Sequence, residues 1–340
     1  MSVATRRAFY DKIEKARNRP LIVYVTSRRP NAGGSMKSDN IPELCDQIQK
    51  LPQDAKEVDI LIVSNGGDPM VSWRMISMLR ERVSKISVLV PSCAYSAATL
   101  LALGADEIVM HPCGNLGPID PQIDVQRKHP DGSFSQQRFG TEDLTSFLDF
   151  AKIEVGITDQ SCLLEAFKMF ASEVGATTIG GAARNVGLSQ KLGVKLLRTH
   201  MKKDELSDAR RIVDVLNKEF FNHGYPVSRS EAIELGLKIA EPNPSLEQII
   251  WDAWTEIEKD FKMRVPFSPI DKFVLKAKTK LGNPANDSST TIRAMIESTR
   301  LNRMFVDEHE AIGIVQPTGV IQANVINKAG CWKDSIDEAS

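Results

Sequence analysis

From residue 20 onward, short runs of β-branched and aliphatic residues alternate with longer stretches whose apolar positions recur every three or four residues. Leu21 to Thr26 predicts a buried strand, and the Gly/Ser/Asn-rich loop Asn31 to Asn40 leads into a helix over Pro42 to Leu51. Val58 to Ser64 predicts a second strand that stops at Asn65-Gly66-Gly67, with a helix over Pro69 to Val83 behind it. A third strand over Ile86 to Val90, a short helix over Ser96 to Leu103 and a fourth strand over Glu107 to Met110 follow. Strands separated by helices at this spacing run parallel, because a parallel pair needs a crossover of about a dozen residues or more. The fold class is therefore α/β.

Residues 143 to 222 change character and read as mostly helical. Ser161 to Val174 and Ser207 to Phe221 are the clearest helices, the second with Ile212, Val213, Leu216 and Phe220 on one face. Ser228-Arg-Ser-Glu231 fits a capping box, and Gly236 a helix stop. Glu247 to Lys262 is a further helix carrying Trp251 and Trp254. Pro266 to Ser289, rich in Pro, Lys, Asn and Ser, reads as a linker. Beyond it, Ile292 to Asn302 predicts a helix, and Met304 to Val306, Ala311 to Gln316 and Val320 to Asn327 predict strands, with Pro317-Thr318-Gly319 as the turn. The organisation expected is an N-terminal helix over 1–19, a main domain over 20–262, a linker over 263–290 and a C-terminal helix and β-hairpin extension over 291–340.

Composition narrows the function classes. A chain of 340 residues with 42% hydrophobic content can bury one large core or two smaller ones. Its 43 basic residues nearly cancel its 44 acidic ones, so no global field points to nucleic acid or a membrane surface. Residues 1–19 carry six basic side chains against two acidic, with Phe9, Ile13 and Ala16 on one face, as expected of a docking helix. No apolar run approaches the ~18 residues of a membrane span and no signal-peptide core follows the charged start, so the expected compartment is the cytoplasm. Five cysteines, Cys45, Cys93, Cys113, Cys162 and Cys331, without paired spacing fit a reducing compartment. His111-Pro-Cys113 is the only close His/Cys pair, too little for a zinc site, and no cofactor is expected.

Two places carry candidate chemistry. Gly66-Gly67 closes a strand ahead of a helix, where glycines let backbone amides face an incoming carbonyl as an oxyanion hole; the plainer reading is a tight turn. Ser96 begins a helix among Ala94, Ala97, Ala98 and Thr99, where the helix dipole favours developing negative charge and small neighbours admit a substrate backbone. Taken alone, it is an N-cap serine beside alanines that allow close packing.

The combination resembles a family. The run from Val88 through Ala94-Tyr95-Ser96-Ala97-Ala98 and Asp106 to Gly117-Pro-Ile-Asp120 is similar to the serine dehydrogenase proteinase family, relatives of Clp protease and signal peptide peptidase A. Ile60 to Gly67 resembles the segment holding the oxyanion glycines of those folds, and His223 to Gly236 the segment before their closing helix. The resemblance covers about residues 20–240 and implies a Clp/crotonase-like fold and a serine peptidase forming an acyl-enzyme. It further implies Ser96 as nucleophile, His223 as general base, Asp120 as the acid orienting it, and Gly66, Gly67 and Ala97 as oxyanion donors. Clp-type peptidases carry the histidine and acid in the opposite chain order, an exchange that triad chemistry tolerates because roles are set by geometry.

Other assignments compete. Asp124 and Asp68 are reserve acids, and Lys152, Lys168, Lys191 and Lys195 are candidates for a lysine base of the kind that signal peptide peptidases use. His111, His129, His200 and His309 read as structural or surface residues, and Cys93 as a packed thiol. A crotonase-type acyl-CoA enzyme would use the same amides for a thioester enolate without a covalent intermediate. A catalytically silent scaffold would use the C-terminal hairpin for pairing between subunits. The expected partners are a peptide or protein substrate and further copies of the chain, with any ATPase or adaptor left open.

Overall fold

The computed structural model describes residues 3–128, 131–218, 220, 222–278 and 281–334. His129 and the end of the helix expected over Ser207 to Phe221 lie outside them.

The strands read from the sequence form the centre of a seven-stranded sheet. β1 (Leu21–Thr26), β2 (Glu57–Val63), β3 (Lys85–Val90) and β5 (Glu107–Met110) run parallel, in register through Val23–Leu61, Ile60–Val88 and Leu89–Val109. Between β3 and β5 lies the two-residue strand β4 (Cys93–Ala94), which pairs with β6 (Asn115–Leu116). The strand alternation splits between two cores. Ile22, Tyr24, Ile60, Ile62, Val88 and Val90 face α2 (Ile41–Gln49), α3 (Pro69–Arg80) and α4 (Ala97–Leu103). Leu21, Val23, Val25, Leu61, Val63 and Leu89 face the opposite core, completed by α1 (Val3–Arg17) and α10 (Pro244–Phe261). Helices on both faces explain why these strands read as continuous apolar runs.

A hairpin, β7 (Gln122–Lys128) with β8 (Phe134–Gly140), leaves the sheet after β6 and was not anticipated. The helical region follows as α5 (Thr141–Asp149), a π-helical turn Phe150–Glu154, α6 (Gln160–Val174), α7 (Ala176–Leu197) and α8 (Leu206–Lys218). α9 (Arg229–Glu234) opens with the expected capping box: Ser228 accepts from the Glu231 amide, and Glu231 closes back on the Ser228 amide. Among the described residues, no helix is long and apolar enough to cross a membrane.

α1 docks as expected, but by a different face. Val3, Arg6, Tyr10 and Ile13 are buried, spaced three and four apart. Arg6 forms a bidentate pair with Glu297 (3.0 and 2.7 Å) and also bonds Asp260, and the Tyr10 hydroxyl donates to Glu297 at 3.1 Å. An arginine, not Phe9, therefore anchors the helix.

The C-terminal part departs most from expectation. Residues read as a linker contain α11 (Pro269–Ala277), whose Phe273 and Ala277 are buried against Ala311 and Val315. The expected helix from Ile292 is instead the end of β9 (Ala285–Glu297), antiparallel to β1 with Val25 opposite Met295. Ile292, Met295 and Ile296 fit a helical period, but the open edge of β1 offers a ladder for the same residues. β10 (Asn302–Val315) and β11 (Ile321–Asp334) are longer than the strands expected and carry the sheet outward in the order β11-β10-β9-β1-β2-β3-β5.

Candidate active site

β4 runs beside the end of β2: the Ser64 amide donates to Cys93 O and the Tyr95 amide to Ser64 O, both at 3.0 Å. α4 begins two residues later, so the chain turns abruptly at Ser96. Ser96 takes φ 54° and ψ −117°, a conformation that a residue with a side chain holds only when its surroundings over-determine it. The Thr99 hydroxyl supplies part of that constraint, lying 2.7 Å from Ala94 O and 2.9 Å from Gly117 O, to one of which its single proton is donated, while accepting from the Gly117 amide at 3.0 Å.

The glycine turn after β2 presses against this corner. Gly66 has φ 97°, and a Cβ there would lie 2.6 Å from Tyr95 O and 2.7 Å from Ser96 Cβ. Gly67, at φ 145°, packs equally closely on the Met36 backbone. The Gly66 amide already donates to Ser64 Oγ (3.0 Å), which removes Gly66 from the expected oxyanion donors. The amides of Gly67 and Ala97 donate no hydrogen bond among the described residues.

Asp120 and His223 are brought together by an isolated bridge, Leu116 with Val227, bonded in both directions at 3.0 and 2.9 Å. The Ile119 amide donates to Leu216 O of α8 at 2.9 Å, and Ser189 Oγ of α7 donates to Ile119 O at 2.6 Å, which fixes the Asp120 loop from the other side. Asp120 Oδ1 lies 2.8 Å from His223 Nδ1, and its Oδ2 accepts from Gln122 Nε2 at 3.1 Å.

Ser96, His223 and Gly66-Gly67 line one cleft of about 890 Å³. Among the described residues, Ser96 Oγ and His223 Nε2 form no hydrogen bond, so the serine and His223 line the cleft without a closed contact, and Asp120 holds the imidazole from behind. Such contacts are commonly long before substrate binds. Asp68 also lines the cleft but caps α3, accepting from the Met70 amide, and Asp124 lines it from β7. None of the four candidate lysines lines the cleft: Lys168 pairs with Glu165, and Lys195 lies 3.6 Å over the Trp73 ring. The far wall is Asn185, Leu188 and Ser189 of α7, a contribution the sequence reading missed although these residues share one helix face.

The remaining candidates lie elsewhere. His111 stacks on Trp251, His200 bonds Leu103 O, and His309 bridges Thr291 and Asn327. Cys93 is buried, and burial pushes its thiol up to about 11.

The parallel strands thus carry a sharp serine corner beside the glycine turn, with His223 lining the same cleft and Asp120 behind it. Residues 36–137 match the model of the ClpP-like SDH-type serine proteinase family, in agreement with the resemblance read from the motifs. The matched segment contains Gly66, Gly67, Ser96 and Asp120 and stops short of His223.

Two uncharacterized proteins of Methanocaldococcus jannaschii are 27% and 25% identical to this chain over 197 residues. In each case the match spans 58% of this chain, and it spans 56% and 58% of those relatives' own lengths. Similar solved structures include a membrane-bound stomatin-specific protease, 1510-N. One form is 14% identical and covers 68% of this chain and 84% of that one, with a TM-score of 0.38. A second form, in complex with a substrate peptide, is 15% identical and covers 67% and 78%, with a TM-score of 0.36. ClpP1 from Listeria monocytogenes is 12% identical and covers 69% and 98%, with a TM-score of 0.33.

Proposed function

We propose that this chain is a serine peptidase that cleaves peptide bonds through an acyl-enzyme on Ser96. The observation that carries the reading is the 2.8 Å contact between His223 Nδ1 and Asp120 Oδ1, which leaves Nε2 as the basic atom in the cleft that Ser96 lines. Ser96 Oγ attacks the scissile carbonyl carbon while His223 Nε2 takes its proton, and the oxyanion accepts from the Gly67 and Ala97 amides. Collapse breaks the C–N bond as His223 returns the proton to the leaving amine, and water then hydrolyses the ester by the same route. Asp120 holds the imidazole in one tautomer and steadies its charge. The match of residues 36–137 to a serine proteinase family supports the class of reaction and, with it, the reading of a peptide or protein substrate.

A fluorophosphonate probe tests the reading directly. Labelling of the wild type that is lost in Ser96→Ala, with peptide hydrolysis lost in both Ser96→Ala and His223→Ala, is the expected result. Folded wild type that takes no label but turns over an acyl-CoA thioester overturns it in favour of enolate chemistry.

A further inference from the structure

The helical region divides into two halves of opposite charge. Residues 141–174 hold seven carboxylates against two lysines, while residues 176–218 hold nine Lys and Arg against four carboxylates, in a chain of net charge −1. The ion pairs Lys168–Glu165 and Lys218–Asp214 each lie within one half.

Each half also presents a surface suited to a partner. On the acidic side Phe150, Ile153, Val155, Leu164 and Met169 are exposed, Ile153 and Met169 by more than 70%. Single exposed apolar residues are ordinary, but a cluster within one helical hairpin marks an interaction surface. On the basic side a groove of about 670 Å³ between α7 and α8 is lined by four cations, Lys191, Lys195, Arg198 and Arg210, against one carboxylate, Asp214, over Val194 and Val213. Lys191, Arg198 and Arg210 make no ion pair among the described residues.

We propose that the acidic, apolar hairpin α5–α6 of one copy docks in the basic α7–α8 groove of a second copy of this chain. The carboxylates of the hairpin exclude an anionic lipid surface as occupant and call for a cationic one, which the chain itself supplies. The groove's valines beneath its cations match a hairpin that offers apolar side chains among acids. Because the two surfaces differ, a single contact is head-to-tail and gives a ring or an open filament, whereas two exchanged contacts across a two-fold axis give a dimer.

A charge swap on the full chain tests this by sedimentation velocity, with circular dichroism confirming the fold. Asp149→Lys with Glu154→Lys reverses the hairpin, and Lys191→Glu with Arg198→Glu reverses the groove; all four positions are exposed. Wild type self-associates and dissociates as salt rises from about 50 to 500 mM. Each reversal alone weakens self-association by about tenfold or more. An equimolar mixture of the two variants associates again, as does the chain carrying all four changes. A monomeric wild type, self-association unchanged by either reversal, or a mixture that stays dissociated overturns the proposal. So does binding of the wild type to phosphatidylcholine vesicles without self-association.

Discussion

Gly66→Ala probes the serine corner while leaving the Ser96, His223 and Asp120 side chains unaltered. The added Cβ would sit 2.6 Å from Tyr95 O, 2.7 Å from Ser96 Cβ and 2.9 Å from Ala97 N, whereas ordinary contact begins at 3.4 Å. Restoring contact distance moves the Ser96 segment by about 0.8 Å, and displacement of that order costs about 100-fold in a positioned reaction. The φ of 97° adds about 1–2 kcal/mol of backbone strain, which by itself affects stability and not positioning. Gly319→Ala separates the two effects: its φ is 86°, yet nothing lies within 4 Å of the new Cβ. Urea unfolding measures the strain, and peptide hydrolysis together with the rate of fluorophosphonate labelling measures the displacement. Both variants are expected to lose about 1–2 kcal/mol or somewhat more, while only Gly66→Ala loses about 100-fold in kcat/KM. Gly66→Ala that hydrolyses peptide within a few-fold of wild type would show that this corner does not set the reacting geometry.

Three further outcomes follow from other parts of the molecule. Asp120→Asn preserves the size of the side chain but not the acceptor that fixes His223, so kcat falls by about 10⁴ with little change in KM; steady-state kinetics showing a change mainly in KM would assign Asp120 to substrate binding. Burial disfavours the Cys93 thiolate and raises its pKa to about 11, so at pH 8 only about one thiol in a thousand is ionised. Mass spectrometry after iodoacetamide should find exposed Cys113, Cys162 and Cys331 alkylated first, Cys93 last, and hydrolysis intact; rapid loss of activity with Cys93 modification would move the nucleophile. Arg6→Met removes the cation paired with the buried Glu297 and should lower stability by about 3–5 kcal/mol in urea unfolding; a change under about 1 kcal/mol would mean the network adds no net stability.

The parallel centre of the sheet was legible because β1, β2 and β3 are covered on both faces, and double burial writes itself as an unbroken apolar run. The outer strands were not. β9 alternates through Ser289 and Thr291 before its last residues, Ala294, Met295 and Ile296, are all buried where they meet β1. That run carries a helix-like spacing whose meaning is decided by a strand some 270 residues away in sequence. The same limit applies to the site. Ser96 and Gly66-Gly67 mark themselves locally, since a serine among alanines and a Gly-Gly after a strand both signal close backbone approach. Their mutual pressure does not, because it depends on Ser64 pairing with β4.

Asp120 and His223 are 103 residues apart, and no period or motif of either segment encodes their 2.8 Å contact. What sets it is the Leu116–Val227 bridge, reinforced by Ile119 bonded to α8 and held by Ser189 of α7. The helical region therefore positions the acid as well as walling the cleft. If α7 and α8 also form the groove in which a neighbouring copy docks, assembly and the placement of Asp120 share the same two helices. Charge reversal at Lys191 and Arg198 then has a second readout: hydrolysis should fall in step with dissociation. Activity that is constant across the monomer–oligomer transition would uncouple the two, leaving docking as assembly alone.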